Sequence, residues 1–216
     1  MRLHPLTSGV PEMDHKLAFR NQVSRALTLP LPYAERLKPG KDIRPIPAAV
    51  LVLLGWMTAA EQTGATEPAV LITRRTEFVE THKGQMAFPG GVIEPEDANP
   101  IAAALRETRE EVGVDAVALE VLGTLPALFT LTGYTIEPAV GILNSPVESV
   151  PLKISQDEIA ETFWVPLSLF SKPGIYKKEE LSAGQRRYPI HVYQVHGQRI
   201  WGATGAILKN LLDRLT

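Results

Sequence analysis

Three glutamates lie close together in residues 105–114, which read LRETREEVGV. At about 100° per residue of an α-helix, Glu107, Glu110 and Glu111 fall on one face that is roughly 100° wide. Like charges at such spacings destabilise a helix, whereas a divalent cation bound between them would make the cluster favourable. Because the ligands would all be oxygen atoms, Mg²⁺, Mn²⁺ or Ca²⁺ is expected and zinc is not. The alternative is a solvated acidic face that the neighbouring arginines neutralise.

The segment that carries these glutamates is expected to be helical, because signals for both of its ends are present. Asn99 suits the N-cap, Pro100 the first helical position and Gly113 the residue after the helix. The opposite face, which can pack on a sheet, consists of Ile101, Leu105, Thr108 and Val112. Upstream, residues 89–91 (Pro-Gly-Gly) predict a turn where backbone can approach a phosphate or a metal ion. A plain turn is the alternative.

The rest of the chain shows both strand and helix patterns, which indicates an α+β fold. The apolar run at 48–57 predicts a strand that is covered on both faces. Further strands are expected at 70–73, 86–88, 117–125, 134–142, 162–165, 189–195 and 199–201, with helices at 13–29 and 204–215. Five prolines in residues 30–47 predict an extended segment. We therefore interpret residues 1–45 as an N-terminal helix with a proline-rich extension, and residues 46–216 as the main domain.

The composition excludes several classes of protein. The 216-residue chain contains no cysteine, so disulfides, thiolate nucleophiles and cysteine-bound metals are ruled out. A net charge of −2 gives no sign of a broad nucleic-acid surface. The first residues lack the apolar core of a signal peptide, and the longest apolar run is too short to span a membrane. A cytoplasmic protein with no membrane or nucleic-acid partner is expected.

The region around the glutamates resembles the Nudix box, G-x5-E-x7-R-E-U-x-E-E-x-G-U. The match begins at Gly91, continues through Asp97 and Arg106, and ends with the segment 105–114. Two departures stand out: the interval from Gly91 to Arg106 is one residue longer than in the general box, and Asp97 replaces the first glutamate. Thr108 replaces an aliphatic residue. The longer interval and the aspartate both resemble the coenzyme A pyrophosphatase subgroup of the family.

A second segment strengthens this resemblance. Residues 71–91, LITRRTEFVETHKGQMAFPGG, are similar to an additional motif of that subgroup, roughly L-L-T-x-R-S-x-x-L-R-x-H-x-G-Q-x-A-F-P-G-G. The matching positions include Arg75, His82, Gly84, Gln85, Ala87 and Phe88. Val79 and Glu80 stand where Leu-Arg is expected, which removes a candidate phosphate-binding cation and leaves the substrate open. With further similar segments downstream, the resemblance covers about residues 46–212.

The resemblance implies a Nudix fold, in which a mixed β-sheet is sandwiched between α-helices. It also implies a hydrolase dependent on Mg²⁺ or Mn²⁺ that cleaves the pyrophosphate bond of a nucleoside diphosphate derivative. The expected substrate is coenzyme A or acyl-CoA, which would give 3′,5′-ADP and (acyl-)4′-phosphopantetheine. ADP-ribose, an NDP-sugar or a dinucleotide is the alternative substrate. A catalytically silent ligand-binding module is the alternative of another class.

The resemblance also implies roles for individual residues. Glu107 and Glu111 are expected to be the principal metal ligands, with Glu110 acting through the metal cluster or its waters. Arg106 is expected to orient the carboxylates through a salt bridge, with Asp97 as its candidate partner. The general base is left open among Glu107, Glu110, Glu158 and Glu161.

Substrate contacts are expected from residues of the segment 71–91. The candidate substrate-binding residues are Arg74, Arg75, His82, Gln85, Gly90 and Gly91. A backbone carbonyl of Gly90 or Gly91 is also a candidate metal ligand by analogy with the family. For His82, a hydrogen bond that holds the turn at residues 84–85 is the alternative. Residues 1–45 could cover the site or form a homodimer contact.

Overall fold

A mixed β-sheet forms the centre of the molecule. A computed structural model describes residues 12–29, 44–59, 65–78, 83–183 and 186–216. The strands of this sheet are β1 (Ile46–Thr58), β2 (Thr66–Arg75), β3 (Met86–Ala87), β4 (Gly90–Val92), β5 (Leu119–Thr124), β6 (Leu128–Phe129), β7 (Tyr134–Leu143) and β8 (Ile159–Pro166). Their main order is β3-β2-β1-β7-β5, and β4, β6 and β8 pair with β1, β7 and β2. The β1–β7 pair is parallel, and the other pairs are antiparallel.

Helices cover both faces of this sheet. They are α1 (Glu12–Thr28), α2 (Pro100–Val112) and α3 (Gly202–Leu215). Because side chains alternate along a strand, β1 serves two cores. Leu51 and Leu53 pack in the cluster that contains α2 residues, whereas Val52 and Leu54 pack in the cluster that contains α1 and α3 residues. The predicted α+β sandwich and the predicted doubly covered strand are therefore confirmed.

Helix α2 begins and ends as predicted from the sequence. The Asn99 side chain accepts a hydrogen bond from the Ala102 N–H at 2.9 Å, and Pro100 is the first helical residue. Gly113 adopts the left-handed conformation with φ 75°, and its N–H donates to the Arg109 carbonyl at 3.0 Å. These caps satisfy backbone groups that the helix leaves unpaired, so they fix the position of the glutamates along its axis.

A second, antiparallel sheet follows the first. It consists of β9 (Tyr176–Ala183), β10 (Arg186–Val195) and β11 (Gln198–Ile200), in the order β11-β10-β9. Helix α3 packs on it so closely that a Cβ at Gly205 would lie 2.3 Å from the His191 carbonyl oxygen. Buried Tyr193, Val195 and Ile200 join the core beneath α3. β9 was not expected from the sequence.

Two predictions of local structure are wrong. Gly90 and Gly91 do not form a free turn but belong to β4, where they pair with Val50 and Ala49 of β1. The region 117–125 does not begin as a strand, because residues Ala116–Ala118 form a 3₁₀ helix before β5. In the first case the pairing partner lies some forty residues upstream, so no local pattern announces it.

Helix α1 is packed against the main domain. Its Val23 and Ala26 are buried in the core on the α3 side. Arg214 of α3 donates hydrogen bonds to the carbonyls of Ala26 and Leu29, at the carboxyl end of α1. The predicted helix is thus confirmed, whereas the domain boundary at residue 45 stays a prediction. None of the helices in the described ranges is both long and apolar enough to cross a membrane.

Candidate active site

The three glutamates of α2 differ sharply in their exposure. The Glu110 side chain is 51% exposed and the Glu107 side chain 15%. Glu111 is only 2% exposed and lies with Thr108 and Val112 among the buried residues of the helix. The cluster therefore runs from solvent into the protein instead of forming one open acidic face.

Arg106 holds the exposed part of this cluster. Its Nε and Nη2 donate to the two carboxylate oxygens of Asp97 at 3.1 and 2.9 Å. Its Nη1 donates to Glu107 at 2.8 Å and to Glu110 at 3.1 Å, and Nη2 also reaches the Val92 carbonyl at 3.2 Å. The predicted salt bridge with Asp97 is confirmed. The two-point contact fixes the guanidinium, which in turn fixes the two glutamates.

Glu111 is held by a backbone amide and by a second arginine. One oxygen accepts a hydrogen bond from the Gly90 N–H at 3.1 Å, and the other accepts one from Arg75 Nη1 at 3.2 Å. Burial raises the pKa of Glu111 to about 8, although these two donors favour the ionised form. The nearby charges of Glu107 and Glu158 add to this rise. Without a further cation, the ionised form of Glu111 is thus disfavoured.

Glu107 lies against the glycine strand β4. A Cβ at Gly91 would fall 2.5 Å from a Glu107 carboxylate oxygen, so the space that a side chain would fill is taken by the carboxylate. Burial raises the pKa of Glu107, Arg106 opposes that rise, and the charges of Glu110 and Glu158 add to it. Only a glycine at position 91 lets this carboxylate rest directly on the backbone.

The two candidate bases from the later loop occupy different surroundings. Glu158 directly precedes β8, and its negative charge adds to the raised pKa of both Glu107 and Glu111. Its backbone carbonyl accepts a hydrogen bond from the Thr76 N–H at 2.8 Å. Glu161 instead pairs with Arg74 Nε at 3.1 Å across the β2–β8 ladder. Arg74 is therefore engaged away from the glutamates of α2.

Of the other residues in the segment 71–91, only some lie in the part of the chain that the structure describes. Gln85 lies beside the end of β2, where its carbonyl accepts a hydrogen bond from the Arg75 N–H at 3.0 Å. Phe88 is buried in the core. His82, Val79 and Glu80 lie outside the described residues. The contact between Arg75 and Glu111 was not predicted from the sequence. No local pattern indicates it, because the two residues are 36 positions apart and only the fold brings them together.

The donor set fits a hard divalent cation. Among the residues that the structure describes, no three carboxylates or histidines form a ready-made metal cage, so convergence of the three glutamates on one ion stays a prediction. The available donors are carboxylate oxygens, with the β4 backbone beside them. Two carboxyl groups have a raised pKa, which means that extra positive charge would stabilise their ionised forms. Mg²⁺ and Mn²⁺ suit such oxygen ligands.

The comparison with known families agrees with this geometry. The NUDIX domain model matches residues 56–187, which include β2, the glycine strand β4, α2 and Glu158. The chain belongs to the Nudix family. It is a pyrophosphohydrolase that acts on a nucleoside diphosphate derivative.

Individual relatives are moderately similar. The chain is 35% identical over 145 residues to the "Uncharacterized Nudix hydrolase NudL" of Escherichia coli K12 and of Cronobacter sakazakii, which covers 67% of this chain and 74% of each relative. Among solved structures, a MutT/nudix family protein from Enterococcus faecalis matches with 19% identity and a TM-score of 0.49, over 93% of this chain and 74% of that one. The MutT protein of Methanosarcina mazei Go1 matches with 24% identity and a TM-score of 0.44, over 61% and 83%.

Proposed function

We propose that this protein is a cytoplasmic hydrolase that cleaves the pyrophosphate bond of coenzyme A or acyl-CoA. Water attacks one phosphorus, the bond from that phosphorus to the bridging oxygen breaks, and the other phosphate leaves with this oxygen. The products are 3′,5′-ADP and (acyl-)4′-phosphopantetheine. The observation that supports this proposal is the position of the motif at residues 71–91. Its Arg75 and Gly90 both donate to Glu111, so this additional motif and the Nudix box share one site.

We assign Glu107, Glu110 and Glu111 as the residues that would hold Mg²⁺ or Mn²⁺. When bound, the ion would neutralise charge on the phosphates and acidify the attacking water. The protein's own contribution is positional. Arg106 fixes Glu107 and Glu110, and the Gly90 N–H orients Glu111. Such preorganisation removes the cost of arranging the charges during the reaction.

A substrate panel tests the proposed specificity. We expect kcat/KM for coenzyme A to exceed that for ADP-ribose and NADH by about tenfold or more, since Arg75 and Gly90 of the 71–91 motif contact Glu111 of the box. The assay would be run with Mg²⁺ and with Mn²⁺, and mass spectrometry would identify the products. A preference for ADP-ribose or NADH would support the second candidate, another nucleoside diphosphate derivative. The replacement of Leu-Arg by Val79-Glu80 favours that candidate.

We assign the general base to Glu158. Glu107 and Glu110 both accept hydrogen bonds from Arg106, and Glu161 accepts one from Arg74, so each of these carboxylates already has a cationic partner. The charge of Glu158 adds to the raised pKa of both Glu107 and Glu111, and this residue forms no ion pair with another described residue. A carboxylate that is near the reacting water and free of a cation is the better proton acceptor.

Glu158→Gln is expected to lower kcat by roughly a hundredfold with little change in KM, because it removes the proton acceptor and keeps the shape. Asp157→Asn, next to it on the exposed loop, is the matched control and should stay within about threefold of the parent kcat. Steady-state kinetics over a pH series would compare the two with Glu161→Gln. A large kcat loss in Glu161→Gln, with Glu158→Gln unaffected, would reverse the assignment.

A further inference from the structure

Arg75 contacts the most buried glutamate through a single hydrogen bond. Its Nη1 donates to Glu111 Oε1 at 3.2 Å, and within the described residues the guanidinium makes no second hydrogen bond to a side chain. The backbone of Arg75 is fixed, because its N–H donates to the Gln85 carbonyl at the end of β2. The side chain is 20% exposed, so the guanidinium reaches the surface of the site. Arg75 thus combines an anchored backbone with a side chain that is free to change partner.

Arg106 differs from Arg75 in this respect. Asp97 binds it at two points, and Glu107, Glu110 and the Val92 carbonyl occupy its remaining directions. Moving Arg106 would leave the nearly buried Asp97 carboxylate without its cation, which is costly. Moving Arg75 breaks one long hydrogen bond. Of these two arginines, Arg75 is therefore the one that can give way.

We propose that Arg75 stays hydrogen-bonded to Glu111 until a divalent ion binds there, and then turns to a phosphate oxygen of the substrate. This inference rests on the proposed function of the site. A guanidinium and a divalent ion repel each other and compete for one carboxylate. A released guanidinium presents a planar fork of donors that matches the oxygens of a phosphate. Arg75 thereby links the affinity for the ion with the affinity for the substrate.

This role predicts an effect on ion binding that a purely structural role would not produce. Without Arg75, Glu111 loses a competing cation, so the substrate-free protein should bind the ion more tightly. The same change should weaken substrate binding, because a phosphate partner is lost. Replacing an arginine that only supports the fold would leave ion affinity unchanged or reduce it.

Titration calorimetry of Mn²⁺ into the substrate-free protein tests this proposal. At about pH 8.5, where protons compete least for the glutamates, we expect Arg75→Gln to lower the Kd for Mn²⁺ by roughly fivefold. Arg109 lies on the same helix as the glutamates, so Arg109→Gln is a control that also removes one positive charge. It should leave the Kd within about twofold of the parent value. Thermal unfolding without metal would show that each variant is folded. An unchanged or raised Kd in Arg75→Gln would overturn the proposal.

Arg75→Lys provides a second, independent test. Lysine keeps the positive charge but lacks the planar set of guanidinium donors. The Kd for Mn²⁺ should therefore stay within about twofold, whereas KM for the pyrophosphate substrate should rise by roughly tenfold. This variant decides the matter if Arg75→Gln does not fold. An unchanged KM in Arg75→Lys would overturn the transfer to phosphate. If the parent protein binds no Mn²⁺ at all, the proposed metal site fails together with this inference, whereas normal Mn²⁺ binding and turnover in every variant overturns this inference alone.

Discussion

Replacing Glu111 with glutamine is expected to lower hydrolysis by roughly a thousandfold and, in the same protein, to raise stability without metal. Activity should be lost because Glu111 is an assigned metal ligand, and the side-chain amide of glutamine lacks the negative charge of the carboxylate. The gain in stability follows because the carboxylate is buried next to Glu107 and Glu158, which penalise its ionisation. Glutamine keeps the size and can still accept the Gly90 N–H.

The stability effect should depend on pH in a defined direction. Burial raises the pKa of Glu111 to about 8 in the folded protein, from its ordinary 4.5. Below pH 4.5 Glu111 carries its proton in both the folded and the unfolded state, so its ionisation does not lower the free energy of unfolding. Between pH 4.5 and about pH 8, Glu111 ionises more readily in the unfolded chain than in the folded protein. The free energy of unfolding therefore falls as pH rises through this range. The advantage of Glu111→Gln should therefore grow from about pH 5 to pH 8 and reach about 1–3 kcal/mol.

Urea unfolding of the metal-free proteins at several pH values would measure this difference, and turnover assays would measure the loss of activity. Glu110→Gln is the matched control, because it lies on the same helix with half of its side chain exposed and should give no comparable gain in stability. Stability of Glu111→Gln equal to or below that of the parent protein at pH 8 would contradict the argument. Retained activity would remove Glu111 from the metal site.

Helix α2 could be predicted from the sequence because its determinants are local. Asn99, Pro100 and Gly113 act on the backbone within a few residues of themselves, and the structure uses all three. Strand β1 was equally predictable, since an unbroken apolar run suits a strand with helices on both faces. The salt bridge between Asp97 and Arg106 joins residues only nine positions apart, so it could also be predicted from proximity along the chain.

What could not be predicted depends on contacts between distant segments. The burial of Glu111 is set by the way α2 lies on β1 and β4, and helical geometry alone placed it with Glu107 and Glu110 on one face. Strand β9, with the sequence YKKEELSA, has no apolar alternation and is defined by its pairing with β10. The contact of Arg75 with Glu111 likewise joins residues 36 positions apart and depends on how the fold brings the end of β2 to this glutamate.

The two glycines of β4 illustrate the same limit, because the sequence predicts the same roles for both and the structure places them in different surroundings. Gly90 has φ 154°, and a Cβ there would lie 2.3 Å from the Ala49 carbonyl oxygen and 2.6 Å from the Val50 Cα. These atoms belong to the backbone of the central strand and cannot move aside. Gly91 has an ordinary φ, and its added Cβ would meet the flexible end of Glu107 instead.

Alanine at these neighbouring positions is therefore expected to act on different properties. Gly90→Ala should lower the free energy of unfolding by about 3 kcal/mol or more, which corresponds to roughly 6–12 °C in Tm for a chain of this size. Gly91→Ala should cost about 1 kcal/mol or less, because Glu107 can swing away. That same displacement removes a metal ligand from its place, so kcat should fall by roughly a hundredfold.

Calorimetric unfolding and steady-state kinetics on both variants would separate the two effects, and each variant serves as the control for the other. The two variants are expected to differ in opposite ways: Gly90→Ala should be the less stable protein, and Gly91→Ala should be stable but slow. Equal destabilisation by both substitutions would mean that β4 acts only as a strand and that the contact between Gly91 and Glu107 has no part in catalysis. Full activity in Gly91→Ala would show that Glu107 does not need the bare backbone beneath it.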